Sequence, residues 1–268
     1  MPLVFAAITP HPPLLIPAIG GEDFKKVDKT RLAMEKLAES LEEANPETIV
    51  ILSPHNLVYP DHFNINSMVN FRGDFDAFRH PEITFTFQND LKLANRIIAE
   101  ADKEGLPVVP YDNEKDFFEL DHGSLVPLFY LTAEIGSSVK ILPVAYSMRD
   151  RKDHFVFGQL MRDIFQKSKK RIAFIASGDL SHRLLEKNHA SEIGKYFDET
   201  IKNSFKDRDF SDILNIEPKI REQAGECGYN SIVTLLGLVD GLEIRPEILS
   251  YESPFGVGYL VCDLKIKE

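Results

Sequence analysis

Short apolar runs alternate along the chain with longer stretches of helical period. Residues 4–8 are apolar and stopped by Thr9-Pro10, so they read as a buried strand: the run is too short for a helix and ends at a proline. Residues 48–52, rich in β-branched side chains and closed by Ser53-Pro54, read the same way. So do 139–145 and 171–176, and 257–264 forms a last strand after Pro254-Phe255-Gly256. Between them, 25–43, 90–101, 155–166 and 186–205 read as helices. In the first of these, Leu32, Met34, Leu37 and Leu41 fall near one face. Residues 124–133 and 230–238 are apolar nearly throughout and read as buried helices, the former with Pro127 expected in its first turn. Segment 55–90 alternates only weakly, as in Ile83-Thr84-Phe85-Thr86-Phe87, and reads as loops and short strands covering one end of the sheet. The alternation predicts one α/β domain over 1–268, three-layered, with a central, largely parallel or mixed sheet and helices on both faces.

Charge narrows the partners. With 31 Lys and Arg against 42 Asp and Glu, the net charge of −11 disfavours nucleic acid and anionic membranes, which need a basic footprint. Two cysteines, Cys227 and Cys262, make no disulfide framework and suit a reducing, cytoplasmic setting. The N-terminus lacks the basic region of a signal peptide, and no stretch approaches the roughly 18 apolar residues of a membrane span.

Candidate chemistry collects where strands end. The first strand leads to His11, the 48–52 strand to His55, and the 171–176 strand, through Ser177-Gly178-Asp179-Leu180-Ser181, to His182. Open α/β sheets bind ligands beyond the carboxyl ends of their strands, so parallel strands would bring these three histidines to one edge. Pro10, Pro12, Pro13 and Pro54 stiffen the backbone around two of them. A lone histidine after a strand is usually a solvated polar residue; three at matching positions point to a site, and His11 and His55 to a metal. His62, His80, His154 and His189 share no such pattern and read as surface or structural. Asp121 before His122 either orients that imidazole or caps the apolar helix that follows. Glu226, between glycines 225 and 228, suggests a tight backbone approach or an ordinary acid at a helix N-terminus. Cys227 reads as a small buried hydrophobe.

Taken together, Thr9-Pro10-His11-Pro12-Pro13, Ser53-Pro54-His55, Leu120-Asp121-His122-Gly123, Ser177-Gly178-Asp179-Leu180-Ser181-His182, Glu226-Cys227-Gly228 and Ser253-Pro254-Phe255-Gly256-Val257-Gly258-Tyr259 occur in an order that resembles the catalytic subunits of class III extradiol ring-cleavage dioxygenases. The similarity is greatest to the branch called AmmeMemoRadiSam system protein A, related to the Memo proteins, and spans almost the whole chain. The resemblance implies a non-heme Fe(II) held by His11, His55 and Glu226, with His182 as the acid–base group and His122 lining the site. It implies a catechol-like aromatic and O2 as substrates, and an AMMECR1-like domain or protein and a radical SAM enzyme as partners; a homo-oligomer is compatible with it. Such a ligand set is the facial triad of non-heme oxygenases. Two alternatives stand beside it. The same ligands suit a catalytic zinc enzyme. In Memo proteins a cysteine is the third ligand, which would turn the site from Fe(II) toward zinc or copper and the function toward binding a peptide or partner protein.

Overall fold

The computed structural model describes residues 2–111, 118–133, 135–136, 139–186 and 189–267. Its strands are β1 (Leu3–Thr9), β2 (Thr48–Ser53), β3 (Phe63–Asn66), β4 (Asn70–Phe75), β5 (His80–Gln88), β6 (Val108–Tyr111), β7 (Phe118–Glu119), β8 (Lys140–Ala145), β9 (Ile172–Ser177), β10 (Ile244–Glu252) and β11 (Tyr259–Ile266). Its helices are α1 (Pro17–Gly20), α2 (Asp28–Ala44), α3 (Leu91–Lys103), α4 (His122–Leu131), α5 (Arg151–Gln166), α6 (His189–Asp207), α7 (Ser211–Asn215), α8 (Pro218–Ala224) and α9 (Tyr229–Val239).

Eight strands form the central sheet in the order β10-β11-β1-β9-β2-β8-β3-β6. The inner four, β1, β9, β2 and β8, are mutually parallel. β11 joins β1 antiparallel, and β3 joins β8 antiparallel, so the sheet is mixed. The inner strands are buried on both faces, which is why they read as continuous apolar runs rather than alternating ones. Their side chains nevertheless divide by parity. Phe5, Ala7, Ile49, Ile51, Ala173 and Ile175 pack in one apolar cluster with Met34, Leu37 and Leu41 of α2 and Leu125 and Leu128 of α4. Ala6, Ile8, Val50, Leu52, Phe174 and Ala176 pack in the other with residues of α3, α5, α6 and α9. Two helical layers on one sheet are thus set by the period of two along each strand.

Several expectations are corrected. Pro127 lies inside α4 rather than in its first turn, because the helix begins at His122, capped by the Asp121 carboxylate, which accepts the Ser124 N–H at 3.1 Å. Segment 55–90 does not merely cover the sheet: β3 enters it, while β4 pairs with β5 and β7 in a separate three-stranded sheet. The edge strand β10 lies in a stretch, 244–252, whose Pro246 and interspersed charges mask it in the sequence; an edge position tolerates both.

His154, at the start of α5, is a structural histidine and fully buried. Its Nδ1 sits 2.8 Å from the Asp150 carbonyl, and its ring lies edge-on to Phe63. Burial is the main cause that pushes its pKa down to about 4. The unfolded chain, with a histidine pKa near 6.5, then binds the proton the folded chain refuses. Stability from this residue is complete above about pH 6.5 and is lost as the pH falls toward 4, by roughly 2 kcal/mol at pH 5. Denaturant unfolding at pH 7 and pH 5 is expected to show this difference. His154→Gln is expected to flatten it, and an unchanged pH slope in that variant would contradict the assignment.

Candidate metal centre

The parallel strands end level with one another: Thr9 pairs with Ser177, Leu52 with Ala176, and Ser53 with Ala145. Their exits therefore share one edge of the sheet, and the residues that follow meet there.

His11 is the anchor. It is buried, with 2% of its surface exposed, and its backbone N–H donates to Asp179 Oδ1 at 3.0 Å. Its ring orientation follows from a proton count. Ser177 has one hydroxyl proton, given to the Gly123 carbonyl at 2.5 Å, so the Ser177 oxygen accepts from His11 Nδ1 at 2.9 Å. Nδ1 therefore carries the proton, and Nε2 presents a lone pair to the site. His55 approaches with its Nε2 3.0 Å from His11 Nε2. Its loop is braced by Ser53, whose hydroxyl accepts the His55 N–H at 3.2 Å and donates to Asp121 Oδ1 at 2.5 Å. Asp121 thus caps α4 and braces the His55 turn, and His122 at the start of α4 stacks on His55 with centroids 4.3 Å apart.

The third converging atom is the sulfur of Cys227. It lies 3.6 Å from His11 Nε2 and 3.7 Å from His182 Nε2. Nitrogens of His11 and His55 and the Cys227 sulfur all fall within 4.8 Å of one another. Cys227 and Asp179 lock their loops together: the Cys227 N–H donates to the Asp179 carbonyl and the sulfur accepts the Asp179 N–H, each at 3.3 Å. Two glycines permit this. A Cβ on Gly178 would fall on the Cα of Gly228, so only a Gly–Gly contact lets the exit of β9 touch the entry of α9.

Glu226 stands apart from this convergence, against the sequence expectation. Its carboxylate is engaged elsewhere, Oε1 by the Arg221 guanidinium at 3.0 Å and Oε2 by the Tyr229 N–H at 2.7 Å. The side chain is buried with Arg221 across from it, so it caps α9 and neutralises a cation. Gly225 does not turn Glu226 toward the histidines; it ends α8 in the left-handed region, at φ 65°. The tight approach expected beside Glu226 is that of Gly228 to Gly178. Cys227, expected in packing as an inert thiol, faces the histidines instead.

His182 completes the group from a clamped segment. Its N–H and the Ser181 hydroxyl both donate to the Ala224 carbonyl, at 3.1 and 3.0 Å. The Leu180 N–H donates to Gly258 O, the Gly258 N–H to Ser181 O, and the Leu184 N–H to Gly256 O. The Pro254-to-Gly258 motif is therefore a strap across the His182 segment.

Electrostatics favour cation binding. Burial lowers the pKa of all four histidines, His11 most strongly, with neighbouring imidazoles adding repulsion at His11, His55 and His182. Neutral imidazoles are what metal ligation and base catalysis require. Burial, then Asp179, raises the Cys227 thiol well above its usual range. A cation between these groups relieves both effects, as the thiolate gains a counter-charge and the crowded nitrogens gain an acceptor for their lone pairs. The donor set fits a metal ion. Among the described residues this is the one group of three or more such side chains close enough to hold one.

Ser53, Ser177 and Asp179 stand in the sequence motifs around the histidines, but the sequence assigns them no role of their own. The available signal was position, since each serine is the last residue of a strand that leads to a site histidine.

A family model for the catalytic LigB subunit of aromatic ring-opening dioxygenase matches residues 5–262. Protein CA_C1420 of Clostridium acetobutylicum is 32% identical over 265 residues, covering 96% of this chain but 56% of that protein, so the chain spans about half its length. The 3,4-dihydroxyphenylacetate 2,3-dioxygenase of Escherichia coli is 22% identical over 218 residues, 76% of this chain and 78% of the enzyme. A MEMO1 family protein of Methanosarcina barkeri is 30% identical over 161 residues, 58% of each chain. The crystal structure of an uncharacterized Escherichia coli K12 protein shares the fold, with a TM-score of 0.63, 16% identity and coverage of 97% and 99% of the two chains.

Proposed function

Because the chain belongs to the family of catalytic LigB subunits of aromatic ring-opening dioxygenases, we propose that it is a metal-dependent protein of the MEMO1-like kind, with His11, His55 and Cys227 as the ligands. The observation that carries this reading is the convergence of two imidazole nitrogens and one sulfur within 4.8 Å, with the neighbouring carboxylate tied to Arg221. The Glu226 carboxylate is held by the Arg221 guanidinium at one oxygen and by the Tyr229 N–H at the other. Thiolate with imidazole selects zinc or Cu(I) over Fe(II), for which a carboxylate would be the better partner. Metal analysis of protein purified without oxygen, followed by competition among Cu(I), Zn(II) and Fe(II), tests it. One equivalent of a soft metal is expected. A preference for Fe(II), or no bound metal in any form, would overturn the reading.

A second reading, iron-dependent extradiol cleavage of a catechol-like aromatic with O2, draws on the ring-opening relatives and on His182 and His122. Both imidazoles border the three converging atoms, and burial holds both neutral. A bound metal would supply Lewis acidity that lowers the pKa of a coordinated hydroxyl. His182 would then accept the phenolic proton at Nε2 and return it to the product. His122, stacked on His55 and edge-on to Phe78, would hydrogen-bond the substrate beside an aromatic wall. Oxygen uptake by metal-loaded protein across a panel of catechols distinguishes the two readings. The AMMECR1-like and radical SAM partners implied by the resemblance belong to the same proposal.

A further inference from the structure

The segment carrying His182 is held from below by a buried carboxylate on a different element. Asp198, in α6 and 1% exposed, accepts the Ser181 N–H at Oδ1 (2.9 Å) and the Tyr251 hydroxyl at Oδ2 (2.6 Å). Ser181 immediately precedes His182, and Tyr251 lies in β10, so the carboxylate ties helix, edge strand and site loop together. Room for it is built into the strap: a Cβ on Gly258 would collide with Asp198 Oδ2, and Gly258 itself bonds to Ser181 and Leu180. The Lys202 ammonium lies 3.9 Å from the Tyr251 ring centroid, which fixes the far side of the same tyrosine.

From this geometry we infer that Asp198 is a positioning residue for His182, fixing the site loop through Ser181 and itself braced by Tyr251. The inference rests on the reading in which His182 is the proton-transferring group. The physical reason is one of tolerance. His182 Nε2 sits 3.7 Å from the Cys227 sulfur, and a displacement of about 1 Å in a catalytic group costs roughly 100-fold in rate. Removing the carboxylate leaves the buried Ser181 N–H without an acceptor, and the loop must move to find one.

Three variants test it: Asp198→Ala, Asp198→Asn and Tyr251→Phe. The carboxamide still offers one oxygen as acceptor to the Ser181 N–H, while its NH2 donates to the Tyr251 hydroxyl oxygen in place of the bond that hydroxyl gave. In Asp198→Ala, amide hydrogen exchange at Ser181 and its immediate neighbours is expected to quicken at least about tenfold. The His182 imidazole resonances should shift, and metal affinity should stay within about threefold. Asp198→Asn should restore slow exchange. Tyr251→Phe should give a smaller change of the same kind, and it serves if Asp198→Ala does not fold. Where the wild type turns over a catechol, Asp198→Ala should lower kcat about 100-fold with little change in KM. Unchanged Ser181 exchange and His182 resonances in both Asp198→Ala and Tyr251→Phe would overturn the inference. So would exchange that quickens throughout the central sheet, which would make Asp198 a residue of general stability. Absence of turnover in the wild type counts against the ring-cleavage reading alone, because the exchange and resonance measurements need no substrate.

Discussion

Cys227→Ala is expected to abolish stoichiometric metal binding, whereas Glu226→Gln is expected to leave it intact. The sulfur is one of the three atoms that converge with the two imidazole nitrogens. Losing a mere outer partner of a ligand typically costs 10–100-fold in metal affinity, so losing a ligand should cost at least about 100-fold. Glu226 acts elsewhere: it neutralises Arg221 and caps α9 at the Tyr229 N–H. Glutamine keeps an acceptor there but loses the charge, a cost of roughly 1–3 kcal/mol in stability. Competition titration of both variants with Zn(II) and Cu(I), with circular dichroism as a fold control, decides between them. If Cys227→Ala keeps one equivalent at wild-type affinity while Glu226→Gln loses it, the histidine–histidine–cysteine centre is wrong.

On the ring-cleavage reading, His182→Ala is expected to bind metal as the wild type does and yet to lose catechol-dependent oxygen uptake by about 100- to 10,000-fold, the usual contribution of a positioned general base. Its imidazole lies beside the Cys227 sulfur without being one of the three converging donors, and burial keeps it neutral. The combination separates roles: a ligand variant loses metal and activity together, while an acid–base variant loses activity alone. Wild-type turnover in metal-loaded His182→Ala would remove this residue from the chemistry. Loss of metal would instead make it a fourth ligand.

Much of this was legible along the chain. The strands 4–8, 48–52 and 171–176 are short apolar runs with hard stops, and a buried parallel strand has no other pattern to show. Once those strands are parallel, His11, His55 and His182 must lie at one edge, since each follows its strand by a few residues. β10 was illegible because an edge strand can carry Pro246 and charges on its open side. The choice between Glu226 and Cys227 was illegible for a different reason. Adjacent residues at a turn point in different directions, and which of them faces the histidines depends on where Arg221 and Asp179 stand.

What the sequence by itself determined is therefore the layered α/β fold and the sheet edge at which His11, His55 and His182 gather, because periodicity and strand ends are local properties. What only the tertiary structure decided is that Cys227 rather than Glu226 faces His11 and His55, and which groups support those two imidazoles. The Ser177 hydroxyl fixes the tautomer of His11, the Gly178–Gly228 contact brings Cys227 within reach, and Arg221 draws Glu226 away. Each of these joins residues far apart in the chain or sets the direction of a side chain at a turn. Neither leaves a periodic trace, because such contacts are fixed by distance in space rather than by spacing in sequence.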